Sequence, residues 1–221
     1  MNYFYITGDS RGIGRAVASE LLKDKRNIVY GISRNSTIQD RNYTHIYLDL
    51  NDLESVKTFP FNNVNDAEKV VLLNNAGILG HVTQVGNIDN DSIIQAQNVN
   101  LTSAMILTNK FISAYQNSDA KKIIINTSSG AARHSNPSWG TYCSTKAGLE
   151  MFARVIHDEQ KDNSANPIRI FSIAPGIVDT DMQERLRSVD PKDFKGRERF
   201  IKLKERGKLV SPESIALQYI D

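Results

Sequence analysis

The sequence predicts an open, doubly wound α/β fold, with a mostly parallel sheet and helices on both faces. Short runs rich in Ile, Val and Tyr recur along the chain, helix-length amphipathic segments lie between most of them, and a glycine-rich turn follows the first run. With 221 residues, 40% of them hydrophobic, the chain can bury one sizeable core, so residues 1–221 are expected to form a single domain.

Taken in order, "YFYIT" is the first predicted strand, and a helix follows from Gly14 to Lys23. "NIVYGIS" and "THIYLDL" read as the second and third strands. From Asn35 to Glu68 the pattern is weakest, because Pro60 and several Asn residues interrupt a helix there. "KVVLLNN" is the fourth strand, Ser92 to Tyr115 a long helix, "KKIIINTS" the fifth strand, Thr145 to Glu159 a helix and "IRIFSIAP" the sixth strand. Beyond Asp181 the composition changes. Lys192, Lys195, Arg197, Arg199, Lys202 and Lys204 alternate with Asp193, Glu198 and Glu205 and with apolar Phe194, Phe200, Ile201 and Leu203. That mixture predicts a solvated amphipathic helical pair covering the sheet, before a helix starting near Ser211.

Several function classes are disfavoured at this level. Lys and Arg total 27 against 25 Asp and Glu, a net charge of +2 that gives little attraction for a polyanion, and no nucleic-acid motif accompanies it. No run approaches the ~18 apolar residues of a membrane span, and no export signal is seen, so a cytoplasmic protein with no membrane partner is expected. Cys143 is the only cysteine, and His45, His81, His134 and His157 lack ligand spacing. Neither an internal disulfide nor a metal site is expected.

The turn "TGDSRGIG" puts Gly8, Gly12 and Gly14 between a first strand and a first helix. Glycines there permit a tight turn and close approach of the backbone to a pyrophosphate, while the helix N-terminus supplies amides. The turn marks the fold as a Rossmann dinucleotide-binding domain. An NAD enzyme places an acidic residue at the end of the second strand, whereas this chain has Ser33 and Arg34, with a second cation, Arg11, inside the turn. Two guanidiniums near a ribose phosphate point to NADPH. Asp49 closes the third strand, either accepting from the adenine amino group or simply facing solvent, and "NNAG", Asn74 to Gly77, ends the fourth at the same sheet edge.

Tyr142 and Lys146 stand one helical turn apart in "GTYCSTKAG", so the lysine charge can bear on the phenol. Ser129 precedes them in "INTSSGAAR", and Asn100 lies in the preceding helix in "NVNLTS". With these residues the chain resembles the short-chain dehydrogenase/reductase family over essentially its whole length. The matched motifs are TGxxxGxG at Thr7 to Gly14, NNAG, Asn100, the Ser129, Tyr142 and Lys146 set, and "PGIVDT" at Pro175 to Thr180.

The resemblance implies a catalytic set of Asn100, Ser129, Tyr142 and Lys146. Tyr142 would give its proton to a carbonyl oxygen held by Ser129, with its pKa brought towards neutrality by Lys146 and the oxidised nicotinamide. Lys146 would also bind the nicotinamide ribose, and Asn100 would keep a water in a proton relay. It further implies that Gly8, Ser10, Arg11, Gly12, Ile13, Gly14, Ser33, Arg34, Asp49, Leu50, Asn75, Ala76 and Gly77 hold the cofactor, with Tyr142, Lys146, Pro175, Gly176, Ile177 and Thr180.

Trp139 with Gly140, Cys143, "DTDMQ" and "LKERGKL" are similar to the benzil and sepiapterin reductase branch, which reduces aromatic diketones or pterin side-chain ketones. A small-molecule carbonyl substrate is therefore implied, with His134, Trp139 and Met182 around it and residues 181–210 as its lid. Trp139 either lines that pocket or packs beneath the active-site loop. The resemblance also implies a homodimer, or a tetramer, through the helices carrying Asn100 to Tyr115 and Tyr142 to Gln160. Against the family, the final strand and tail read as absent, since Asp221 falls inside the last predicted helix. A longer chain or a neighbouring subunit would cover the sheet edge. The readings from other classes are an NADPH-binding redox sensor without turnover and an alcohol dehydrogenase of different substrate class.

Overall fold

The computed structural model describes residues 1–36, 38–161 and 166–220. Its centre is a six-stranded parallel sheet in the order β3-β2-β1-β4-β5-β6. The strands are β1 (Asn2–Thr7), β2 (Asn27–Ser33), β3 (Tyr43–Tyr47), β4 (Lys69–Asn74), β5 (Lys121–Thr127) and β6 (Arg169–Ile173). The order reverses between β1 and β4, and such a switch point opens a crevice at the carboxyl ends of the strands.

The helices are α1 (Gly12–Leu21), α2 (Leu53–Thr58), α3 (Asn90–Gln97), α4 (Ser103–Tyr115), α5 (Gly140–Lys161), α6 (Asp181–Ser188), α7 (Arg197–Glu205) and α8 (Pro212–Leu217). Alternation along each strand feeds two cores. On one face Tyr5, Ile32, Val70, Leu72 and Ile124 pack with Leu107 and Phe111 of α4 and Ile156 of α5. On the other, Phe4, Ile6, Val29, Val71 and Leu73 pack with Val17 and Leu21 of α1 and Ile215 of α8. No helix occurs among the described residues between β2 and β3, but α2 forms within the Asn35 to Glu68 stretch where none was expected, because the Asp52 side chain caps its start by accepting from Ser55 N–H.

Two differences from the sequence reading matter for the site. The helix expected over Ser92 to Tyr115 is broken by a π turn at Asn98–Thr102, which joins α3 to α4. The third strand ends at Tyr47, so Asp49 and Leu50 lie just beyond it rather than closing it. The six strands, and a parallel sheet covered by helices on both faces, are those the sequence predicts.

Candidate active site

The crevice is built around the turn after β1. Gly8 has φ +70, and a Cβ on it would fall 2.8 Å from Ala76 Cα, so glycine lets this turn lie against the loop after β4. Asn75 then ties the two together, its Nδ2 donating to the carbonyls of Thr7 and Gly8 at 3.1 Å each. Thr7 Oγ1 accepts from the backbone N–H of Asn75 and Ala76.

A dinucleotide fits what this turn presents. No side chain caps the start of α1 and no acid lies in its first turn, so its leading amides face the crevice uncontested. Across from them, Thr180 Cγ2 lies 3.3 Å from where a Cβ on Gly12 would be. Ser10 and Ile13 are half-buried in the same turn. Pro175, Gly176 and Ile177 follow β6, and Ile177 is fixed by its carbonyl accepting from Val210 N–H at 3.1 Å.

The adenosine-side residues are less uniform. Arg34 is exposed immediately after β2, whereas Arg11 is exposed but paired with Asp181 of α6 at 3.2 Å. Ser33 is buried, and its hydroxyl lies 2.7 Å from Asp9 Oδ1. Asp49 accepts from Asn51 N–H at 2.9 Å, and Leu50 is buried.

At the nicotinamide side, α5 carries Tyr142 and Lys146 into the molecule, 7% and 3% exposed. The lysine Nζ donates to Thr127 O at 2.7 Å and sits 5.7 Å from the centre of the Tyr142 ring. Burial depresses its pKa to about 8. A Cβ on Gly77 would lie 3.6 Å from Lys146 Nζ and 3.5 Å from Asn100 Oδ1, so the bare glycine leaves room at both groups.

The Asn100 amide is fully engaged inward. Its Oδ1 accepts from Ile78 N–H at 2.8 Å, and its Nδ2 donates to Ile78 O at 2.8 Å and Thr145 Oγ1 at 3.2 Å. These bonds pin the π turn between the loop after β4 and helix α5. Wide turns of this kind are frequent at functional sites.

Ser129 lies two residues past β5 and caps a short 3₁₀ turn, its Oγ accepting from Ala131 N–H at 3.2 Å. Burial pushes the Tyr142 phenol up to about 12, and the nearby Ser129, which favours the phenolate, offsets only part of that rise. The lowering expected from Lys146 does not show: the rise comes from burial, and the only group acting against it is Ser129.

Over Tyr142 lies an aromatic cluster. Trp139 meets the Tyr142 ring edge-on, with centroids 6.0 Å apart, and packs on Phe194 at 5.8 Å and Phe200 at 5.6 Å. Residues 181–205 therefore close down on α5, Met182 packing at their near end and Leu186 fully buried. Ser138 Oγ donates to Asp193 O at 2.7 Å and Thr83 Oγ1 to Asp193 Oδ1 at 3.1 Å, fixing the segment from below. His134 is exposed in the loop after Ser129.

Sequence reasoning gave no part in this region to Asp9, Tyr43 or Thr145, and did not place Phe194 and Phe200 against Trp139. Only Asp9 carried a visible signal, an acid inside a turn otherwise suited to phosphate. No cluster of His, Cys, Asp or Glu able to hold a metal occurs among the described residues, and no described helix is long and apolar enough to cross a membrane.

A parallel sheet with a dinucleotide crevice at its switch point, and a buried phenol and ammonium facing that crevice, defines a nicotinamide-dependent oxidoreductase of C=O and CH–OH groups. The chain belongs to the short-chain dehydrogenase family, whose family model matches residues 2–190. It is 36% identical to benzil reductase ((S)-benzoin forming) of Bacillus subtilis (strain 168), over 98% of this chain and 90% of that one. It is 30% identical to sepiapterin reductase of Mus musculus, over 93% and 85% respectively. Among solved structures it resembles the YIR035C short-chain dehydrogenase/reductase of Saccharomyces cerevisiae. There the TM-score is 0.82 and the identity 27%, covering 96% of this chain and 86% of that one.

Proposed function

We propose that the protein is an NADPH-dependent carbonyl reductase acting on an aromatic ketone or diketone, with Tyr142 as the proton donor. The observation that carries this reading is the Tyr142 phenol, buried beneath the apolar, aromatic cover of Trp139, Phe194 and Phe200. That cover suits a flat apolar substrate, and benzil reductases are among the relatives. For the cofactor, the support is an exposed guanidinium, Arg34, where an NAD enzyme would place a carboxylate.

Bound in the crevice, the cofactor supplies the hydride. The protein supplies the proton and the order. Ser129 and Tyr142 hold the substrate oxygen, and as charge builds there the Tyr142 proton passes to it. A phenol held near 12 stays protonated across the neutral range, which suits the direction of carbonyl reduction. Lys146 fixes the nicotinamide ribose and places positive charge behind the phenol as it loses its proton. Gly8, Gly12 and the first amides of α1 take the diphosphate, Asn75, Ala76 and Gly77 form the facing wall, and Thr180 with Pro175 to Ile177 holds the nicotinamide amide. We assign residues 181–210 as the substrate lid.

The test is loss of NADPH absorbance with benzil, sepiapterin and a simple aliphatic ketone. Benzil is expected to turn over. Tyr142→Phe should lose about 10²- to 10⁴-fold in turnover while still binding NADPH. Unchanged turnover would remove Tyr142 as donor, and binding without turnover of any carbonyl would favour a redox sensor.

A further inference from the structure

Asp9 is the one acid in the glycine-rich turn, and the reaction above leaves it unused. It is completely buried. Its Oδ1 accepts from Ser33 Oγ at 2.7 Å and its Oδ2 from the Tyr43 hydroxyl, both neutral donors. Among the described residues no Lys, Arg or His forms an ion pair with it. The carboxylate lies directly on β2, since a Cβ on Gly31 would come within 1.9 Å of Oδ2.

That position is the floor beneath the end of β2, where Ser33 and Arg34 would meet the adenosine ribose. Ser33 Oγ lies 2.7 Å from both Asp9 Oδ1 and Asn35 O, and 3.4 Å from His45 Nε2. Its single hydrogen is therefore spent inward, whichever oxygen receives it, and none is offered to a phosphate above. Tyr43 stays a donor, because burial and the bond to Asp9 both raise its pKa. A buried charge with little water around it acts over a longer range than one on the surface, and this one has the sign of the phosphate.

We propose that Asp9 sets the cofactor preference of this protein by opposing the 2'-phosphate that Arg34 attracts, so that NADPH is favoured over NADH by a narrow margin and both are used. The inference rests on the placement of the 2'-phosphate at Arg34 proposed above. Asp9 acts through Ser33 and through its charge, without touching the cofactor, and is a positioning and specificity residue.

The test uses adenosine 2',5'-bisphosphate and 5'-AMP, titrated calorimetrically into the intact protein and into Asp9→Asn, which keeps the side-chain shape but not the charge. The bisphosphate should bind about tenfold tighter to the variant, with 5'-AMP unchanged; one charge interaction of this size is about one decade in affinity. Asp9→Ala, which also removes the charge, should shift the same ratio in the same direction. Comparing two ligands in one preparation cancels any loss of folded protein. An equal change for both ligands, or none for either, would overturn the proposal and leave Asp9 a packing residue. Arg34→Ala separates the underlying placement: if it fails to weaken the bisphosphate, the phosphate sits elsewhere, whatever Asp9 does.

Discussion

Tyr142 and Lys146 show how far burial can override a local pairing. Their spacing, visible in the sequence, puts the ammonium beside the phenol, but the burial that governs their titration depends on what α5 packs against. Lys146 titrates at about 8 when folded and near 10.4 when unfolded. Between those values the unfolded chain binds more protons, so stability rises with pH there; below pH 8 both states are charged and folding bears the full cost of desolvation. Lys146→Met should therefore abolish activity yet raise the melting temperature by several degrees at pH 7, and that gain should shrink by pH 10. Thermal melts of both proteins at the two pH values check it. Asn100 is likewise legible as a residue and not as a geometry: no sequence signal tells that its amide clasps the Ile78 backbone.

At the scale of elements, the proposed lid is held by aromatic packing on one side and hydrogen bonds on the other. Phe200 is buried on α7 against Trp139 and Phe194. Truncating such a ring costs about 3 kcal/mol or more, and a peripheral segment pays most of it locally. Phe200→Ala should raise amide exchange across 181–205 by at least about tenfold while β1, β4 and β5 exchange as before, as hydrogen-exchange mass spectrometry would show. The alternation of apolar and charged residues revealed the helical pair. Its docking partner was not readable, because Trp139 and Phe200 are far apart in sequence and neither periodicity nor spacing links them. The π turn was also hidden: Asn98 to Thr102 continues an amphipathic pattern, and the break comes from tertiary bonds to Ile78 and Thr145.

For the whole molecule, the alternation of strand and helix was sufficient to read the parallel sheet, since each β–α–β connection has essentially one handedness and the glycine turn marks the switch point. The stretch from Asn35 to Glu68 was read as interrupted for any helix, yet α2 forms inside it, started by the Asp52 side chain accepting from Ser55 N–H and ending ahead of Pro60. Assembly is the remaining question at this scale. Met105 on α4, with Met151 and Val155 on α5, leaves apolar surface outward on the two helices proposed to pair between subunits, and Met151 is 57% exposed. Met151→Glu is expected to shift the protein from dimer to monomer in light scattering; a monomeric parent protein would refute the pairing.

Gly31 carries a consequence for anyone redesigning the cofactor pocket. The space over its Cα is occupied by the Asp9 carboxylate and the Tyr43 hydroxyl, so positions 9 and 31 cannot be varied independently. An alanine or serine at 31 is blocked while the Asp9 carboxylate and the Tyr43 hydroxyl remain, and becomes admissible only once both have been cut back. A library randomising position 31 alone would return mostly damaged proteins; randomising 9, 31 and 43 together opens a set of solutions that no single step reaches.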